Sequence, residues 1–340
     1  MRVLLVKTSS MGDVIHALPA LTDAAKAIPG LTVDWVVEEG FAELPSWHPV
    51  VDRVIPVAIR RWRKSLLKSI FSGEIKAFRE ELGRTRYDVV IDAQGLLKSA
   101  WIARQAQGVR CGLDRYSARE PLASWFYHKR FTVARELHAV ERIRQLFANA
   151  LDYPVPQEVG DYGINQDSFL PEIVAQKGNP YVVFLHGTTR YDKHWPEHYW
   201  QTLCGMLVHR GYEVRLPWGN EQERLRAEAI ARISPSAEVL PKLNIAGVAS
   251  QLSGASGVVA VDTGLGHLSA ALSVPTVSLY GPTSPALIGA YGDYQQHLCS
   301  ADYSEVPPNG SGKAVEPAIF APLHPKIVKT TLLKLMQEAN

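Results

Sequence analysis

The first chemical signal lies near the amino terminus. Lys7-Thr8-Ser9-Ser10-Met11-Gly12-Asp13 follows the apolar run Val3-Leu4-Leu5-Val6, which fits a buried parallel strand. Beyond it apolar residues recur at Val14, Ala17/Leu18, Leu21, Ala24/Ala25 and Ile28, a helical period. The chain therefore opens strand–loop–helix and sets the Asp13 carboxylate at the mouth of the helix. Ligands of open α/β sheets bind beyond the carboxyl ends of the strands, where such loops sit, and a helix N-terminus favours an anion. A carboxylate held there suits a general base, or else it caps the helix. The loop has no G-x-G-x-x-G, so the dinucleotide fingerprint is missing.

Three later stretches repeat the strand–loop–helix placement. His186-Gly187-Thr188-Thr189-Arg190-Tyr191-Asp192-Lys193-His194-Trp195-Pro196 offers backbone N–H groups, two threonine hydroxyls and the Lys193 ammonium as an anion cradle, or else it is a polar surface loop. It is not a Walker loop. His194-Trp195-Pro196-Glu197-His198 matches H-x-x-E-H, but Pro196 suits the start of a helix, which leaves His194 outside the face that would chelate zinc. In Val261-Asp262-Thr263-Gly264-Leu265-Gly266-His267 a buried strand ends in Asp-Thr-Gly and opens a helix. Gly264 and Gly266 permit close approach of a ligand to the backbone, with Asp262, Thr263 and His267 beside it. The aspartic-protease reading of Asp-Thr-Gly needs paired carboxylates in a β-rich fold, not this setting. After Pro217-Trp218-Gly219-Asn220, Glu221 is the acid expected to accept from ribose hydroxyls, with Glu223 close behind. A carboxylate favoured by the helix dipole is the plainer alternative.

The first half of the chain adds cations. Arg60-Arg61-Trp62-Arg63-Lys64, with Lys68 and Lys76 beyond, could hold a carboxylate or phosphate, meet an anionic membrane surface, or form a solvated helix face. Asp92-Ala93-Gln94-Gly95-Leu96-Leu97-Lys98 ends another strand, placing Gln94 and Lys98 near the same loops.

These loops need a scaffold. Strand-like runs at 32–37, 53–56 and 89–92 alternate with helical stretches at 66–82, 96–106 and 138–151. After a Pro-, Gly-, Asp- and Gln-rich region the pattern returns. Strands are expected at 181–186, 213–217, 237–240, 257–261 and 276–279, and helices at 196–209, 221–231, 245–254 and 265–272. Alternation of this kind implies parallel sheets with crossover helices. The expected division is a domain at 1–160, a linker at 161–179, a second domain at 180–322 and a C-terminal helix, 323–340, packing back on the first domain. The two Rossmann-like α/β domains would face each other across a cleft. At 340 residues, 46% hydrophobic and 21% charged, with net charge +2, the composition is that of an ordinary globular protein and gives no sign of nucleic-acid binding. No apolar run reaches the length of a membrane span, and the N-terminus lacks the shape of a signal peptide. Cys111, Cys204 and Cys299 are few and far apart, so free thiols in the cytoplasm are expected.

Taken in order, VKTSSMGDVIHALPAL, WVVEEGF, IPVAIRRWRK, IDAQGLLKSA, SAREPLASWFY, FLHGTTRYDKHWPEHYW, LPWGNEQER, VDTGLGHLSAAL and YGPTSP resemble the lipopolysaccharide heptosyltransferases, most closely their heptosyltransferase I branch. The resemblance runs from the first residues to about position 285. It implies a GT-B glycosyltransferase that moves L-glycero-D-manno-heptose from ADP-heptose to the Kdo residue of Kdo2-lipid A, with inversion and without a metal or other cofactor. The resemblance further implies roles. Asp13 would be the general base, with Lys193 and Asp262 completing the catalytic set. Thr188, Thr189, Lys193, Glu221, Asp262, Thr263, Gly264, Leu265, Gly266 and His267 would hold the donor. Ser10, Arg60, Arg61, Arg63, Lys64, Gln94, Lys98 and Arg119 would hold the acceptor's carboxylates and phosphates. The enzyme would work on the cytoplasmic face of the inner membrane as a peripheral protein. Heptosyltransferase II, a sugar-nucleotide 2-epimerase of similar fold, and a two-lobed binding protein without turnover are the alternatives. Nucleotide release that depends on a Kdo acceptor separates transfer from epimerisation, and turnover separates both from binding.

Overall fold

The opening apolar run forms β1 (Arg2–Val6) at the centre of a six-stranded sheet in the computed structural model, which describes residues 1–64, 72–169, 179–303 and 319–339. The chain divides into two units, Met1–Ile164 and Asn165–Asn340. In the first unit β1 is joined by β2 (Thr32–Glu38), β3 (Val51–Val57), β4 (Arg86–Asp92), β5 (Gln107–Leu113) and β6 (Lys129–Phe131), in the order β3-β2-β1-β4-β5-β6. Every pairing is parallel, with Leu4 opposite both Asp34 and Val90. The helices are α1 (Met11–Ile15), α2 (Leu18–Ala27), α3 (Ile59–Lys64), α4 (Glu74–Gly83), α5 (Leu97–Gln105) and α6 (Ala139–Leu151). Alternate residues of β1 serve opposite faces of the sheet. Leu4 and Val6 join Trp62, Phe78, Leu82 and Ile102 in one core cluster, while Val3 and Leu5 are equally buried on the other face.

The second unit repeats the plan. Its strands are β7 (Tyr181–Leu185), β8 (Glu213–Leu216), β9 (Ala237–Val239), β10 (Gly257–Val261), β11 (Thr276–Tyr280) and β12 (Gln295–Cys299), ordered β12-β11-β10-β7-β8-β9 and all parallel. The helices are α7 (Glu197–Val208), α8 (Glu221–Ala231), α9 (Ile245–Ser253), α10 (Gly264–Ala271), α11 (Pro285–Ile288) and α12 (Pro325–Glu338). β7, β10 and β11 are buried throughout, the pattern of strands covered on both faces.

The structure departs from the sequence reading in four places. The single helix expected from Asp13 to Ile28 is two, α1 and α2, with Pro19 in the first turn of the second, a position that tolerates its missing N–H. The strand β5 and the edge strands β6 and β12 were not expected. Residues 161–164 belong to the first unit, where Tyr162 is buried, so chain expected to be linker is part of that fold. Finally, α12 packs on the second unit rather than the first. Its stripe of Val328, Leu332, Leu335 and Met336 joins the core with β7, β8, β10, β11 and α7. Gly257 makes the approach possible, since a Cβ there would lie 2.9 Å from the Met336 sulfur and 3.0 Å from Leu332. Each of those side chains contributes roughly 1.5–3 kcal/mol on burial. The first part of the helix expected at 66–82, and Lys68, lie outside the described residues, as do 170–178 of the expected linker. Cys111, Cys204 and Cys299 are free thiols. Among the described residues no helix is long and apolar enough to cross a membrane.

Candidate active site

Each sheet has one place where the strand order reverses, and ligands of doubly wound folds bind beyond the strand ends at such a point. In the first unit it lies between β1 and β4, in the second between β7 and β10. Four of the sequence motifs that could carry chemistry follow these four strands, while the cationic stretch 60–64 follows β3 and the stretch 217–223 follows β8.

In the first unit the loops after β1 and β4 are laced together. The Gln94 side-chain oxygen accepts from the N–H groups of Thr8 (3.0 Å) and Ser9 (3.3 Å). The buried Lys7 ammonium donates to the Ala93 carbonyl at 3.1 Å. Beneath them the fully buried Asp92 carboxylate accepts from the N–H groups of Gln94 and Gly95, the Ser99 hydroxyl and the Tyr127 hydroxyl, at 2.7–3.1 Å. Burial nevertheless raises its pKa against the pull of those donors. The loop after β4 is tied in turn to the segment bearing the exposed Arg119, because Glu120 N–H donates to the Gly95 carbonyl at 3.0 Å. Lys98 reaches the Ser9 hydroxyl at 3.4 Å.

Asp13 stands on α1 above this bracing. Its Oδ2 accepts from Ser10 N–H (2.7 Å) and Ser10 Oγ–H (3.0 Å), and its Oδ1 lies 3.5 Å from the Lys7 ammonium. The carboxylate therefore does cap the helix, and it remains 37% exposed. Burial pushes its pKa up, but the Lys7 charge and the two Ser10 hydrogen bonds outweigh burial and hold it below the usual carboxylate range. Asp13 is thus an anion near neutral pH with a face open to solvent, which is what a base must be.

Three expectations for the first unit change. Gln94 is 9% exposed and its oxygen is committed to the loop, so it shapes the site rather than reaching out. The Ser10 hydroxyl is committed to Asp13. Arg61 forms a two-pronged contact with Glu39 (3.1–3.2 Å) and a 2.7 Å pair with Glu74, which raise its pKa. Arg60 lies 5.3 Å over the Phe41 ring, and Arg63 and Lys64 are exposed. These three remain the available cations of that helix.

In the second unit the Lys193 ammonium lies 2.5 Å from Asp262 Oδ2, with only 16% and 10% of the two side chains exposed. The same Asp262 oxygen accepts from the Thr283 hydroxyl at 2.8 Å. The Thr188 hydroxyl donates to the Asp262 backbone carbonyl at 3.1 Å, joining the loops after β7 and β10. Thr263 is the N-cap of α10, whose first turn is Gly264-Leu265-Gly266. The leading N–H groups of a helix lack intrahelical partners and favour an anion. His267 is 8% exposed and Thr189 is exposed. Gly266 serves packing, since a Cβ there would meet Ala260 Cβ at 3.3 Å.

Of the two acids, Glu223 and not Glu221 is turned toward the loop after β7. Glu221 is exposed and paired with Arg224 at 2.6 Å. Glu223 accepts from Gly219 N–H at 2.7 Å and lies so close to the loop after β7 that a Cβ on Gly187 would come within 2.7 Å of its carboxyl carbon. The H-x-x-E-H stretch does not set both histidines on one helical face. The helix starts at Glu197 with Pro196 as its N-cap, and His194 Nδ1 accepts from Arg226. Burial, with Arg226 nearby, pushes the pKa of His186 down to about 3 and that of His194 to about 4, so both rings are neutral near pH 7. Among the described residues no cluster of three His, Cys, Asp or Glu is placed to hold a metal. Lys7, Thr283 and Arg226 were missed from sequence. Lys7 and Thr283 sit just past the ends of apolar runs, which was the available signal.

The profile of glycosyltransferase family 9 (heptosyltransferase) matches residues 75–318. Lipopolysaccharide heptosyltransferase 1 of Pseudomonas aeruginosa is 61% identical over 301 residues, 88% of this chain and 84% of that protein. The solved structure of the E. coli heptosyltransferase WaaC with ADP superposes with a TM-score of 0.89 at 51% identity, covering 98% of this chain and 100% of that one. WaaC with ADP-2-deoxy-2-fluoro heptose gives 0.86 at 50%, with 98% and 99% covered. Two Rossmann-like α/β units of the GT-B class, the family profile over residues 75–318 and 61% identity over 88% of the chain lead to one assignment: the chain belongs to glycosyltransferase family 9, the heptosyltransferases.

Proposed function

We propose that the chain transfers L-glycero-D-manno-heptose from ADP-heptose to the Kdo residue of Kdo2-lipid A, with inversion at the anomeric carbon. What carries the reading is the contrast between the two reversal points. One holds an anionic, partly exposed carboxylate set by Lys7 and Ser10, and the other holds a partly buried ammonium on the Asp262 that leads into a helix N-terminus. In the reaction the acceptor hydroxyl oxygen forms a bond to the anomeric carbon as the bond to the diphosphate oxygen breaks. The hydroxyl proton passes to Asp13, and ADP departs with the electron pair. The transition state resembles an oxocarbenium ion. Charge that grows on the diphosphate meets Lys193 and the first N–H groups of α10, so the leaving group is stabilised without a metal. Asp262, fixed by Lys193 and Thr283, orients the ammonium and faces the sugar side of the donor, with Thr188, Thr189, Thr263 and His267 around it. Glu223 accepts from the ribose hydroxyls. Arg60, Arg63, Lys64, Lys98 and Arg119 hold the acceptor's carboxylates and phosphates. A lipid-borne acceptor places the enzyme on the cytoplasmic face of the inner membrane.

The test is ADP release from ADP-heptose with and without a deacylated Kdo-bearing lipid A acceptor. Release that requires the acceptor, with a product one heptose heavier, is expected. An inert Kdo acceptor with an active, already heptosylated one would overturn the acceptor assignment. Conversion of ADP-heptose to an isomer without acceptor would overturn transfer itself.

A further inference from the structure

We infer that one outer face of the first unit, made by α5, the 3₁₀ turn Pro121–Phe126 and the edge strand β6, docks the chain on an anionic lipid bilayer. The inference rests on the lipid-borne acceptor proposed above and specifies the surface that meets its membrane.

The face is apolar where a folded protein normally is not. Leu97 and Trp101, one turn apart on α5, are 41% and 40% exposed. Residues three apart on a 3₁₀ turn eclipse, so Leu122 (48% exposed) and Trp125 (73% exposed) point the same way, while Ala123 and Ser124 between them are buried. The turn is seated on α5 through Ala100, Ala123 and Tyr127, with Phe126 against them. On its inner side Trp101 lines a groove of about 890 Å³ with Ile59, Trp62 and Ile75, which widens the apolar strip.

The surround is cationic. Residues 97–137 hold eight Lys and Arg against three Asp and Glu, in a chain whose overall net charge is +2. Two of those three acids are consumed internally. Glu120 accepts from Leu97 N–H at 2.6 Å, and Asp114 accepts from Thr132 Oγ–H and from the N–H groups of Tyr116 and Ser117. Arg104, Arg115, Lys129 and Arg130 are exposed, and none forms an ion pair among the described residues. Tryptophan and leucine beside unpaired lysine and arginine is the composition that settles at an anionic membrane surface. A second copy seated on this face by a two-fold axis would bring two net-cationic surfaces together. Docking here also serves the chemistry, because Glu120, next to Arg119, caps the helix that carries Lys98 and bonds the loop after β4.

The test uses the full chain with vesicles of phosphatidylethanolamine and phosphatidylglycerol, and with vesicles of phosphatidylcholine alone. Wild type is expected to sediment with the first and not the second. Each neutralised cation weakens binding about fivefold, so Lys129→Gln with Arg130→Gln is expected to weaken it about 25-fold. Leu122→Ser with Trp125→Ser is expected to abolish sedimentation. Transfer to a deacylated, soluble acceptor by both variants stays within about twofold of wild type. Wild type that ignores anionic vesicles, variants that bind them as wild type does, or a wild-type dimer that the variants dissolve would each overturn the inference. Loss of transfer to the soluble acceptor in the wild type would instead strike the functional reading, leaving the vesicle result to decide the surface.

Discussion

Lys193→Met removes the ammonium from the donor half-site while keeping most of its bulk. At 2.5 Å from Asp262, the ion pair is worth about 7 kcal/mol of gross attraction at an effective dielectric near 20, most of it offset by the desolvation of two buried charges. The catalytic share is read from the leaving group. A full charge developing on the diphosphate about 4 Å from the ammonium gains about 4 kcal/mol at the same dielectric. Deleting one oxyanion donor elsewhere costs about 2.7–4 kcal/mol, so kcat/KM should fall about 10²- to 10³-fold. ADP binding should also weaken, because Asp262 is left to repel the incoming diphosphate. The double variant Lys193→Met with Asp262→Asn should then bind ADP better than the single one. Acceptor-dependent ADP release gives kcat/KM, and titration calorimetry gives the ADP affinity. A single variant within about tenfold of wild type would show that Lys193 is not at the leaving group. A double variant that binds ADP no better than the single would show that the ion pair does not set the charge of the site.

Asp13→Asn should lower kcat by about 10²- to 10⁴-fold and leave ADP affinity unchanged by calorimetry. Because its pKa is held below the ordinary range, Asp13 stays ionised and its share of stability persists as pH falls, until pH passes through that lowered value. The acid limb of kcat/KM therefore lies below the usual carboxylate range, and Ser10→Ala, which removes one hydrogen bond to the anion, should move it upward. Glu223→Gln should raise the donor KM about tenfold, the cost of about one hydrogen bond to a charged group, and should lose most of its effect when the donor carries a 2′-deoxyribose. Glu221→Gln should leave both constants within about twofold. Arg144 is 2% exposed and lies 2.6 Å from Asp23, so Arg144→Met strands a buried carboxylate. Denaturant unfolding should show about 3–5 kcal/mol of lost stability.

What could be read from sequence were the stretches where an apolar run stops and a small-residue loop begins. Val6-Lys7, Leu185-His186 and Val261-Asp262 are such borders, and all three fall at strand ends beside a reversal of strand order. β5 was missed because Gln107-Gly108-Val109-Arg110-Cys111-Gly112-Leu113 breaks its apolar pattern with two glycines and an arginine. β6 and β12 lie at sheet edges, where half the strand faces solvent and carries polar residues. Glu221 and Glu223 stand two apart on a helix and so point to opposite sides, a choice that spacing alone could not make. The engagement of Arg61 depends on Glu39 and Glu74, brought to it by tertiary folding. The apolar stripe of α12 showed that the helix is buried, but its partner was decided by the missing side chain of Gly257, some seventy residues away.

The two reversal points have a consequence for inheritance. Each half-site is assembled by loops that follow strands of a single sheet, one set from residues before 165 and the other from residues after it. The hydrogen bonds that position Asp13 and those that position Lys193 draw on separate stretches of chain. On the function proposed above, substitutions that alter which molecule is glycosylated can therefore collect in the loops after β1 and β4 without disturbing the apparatus that activates the donor. A lineage built on this plan can change its acceptor while keeping its sugar nucleotide, and the record of that history would be two halves of one gene diverging at different rates.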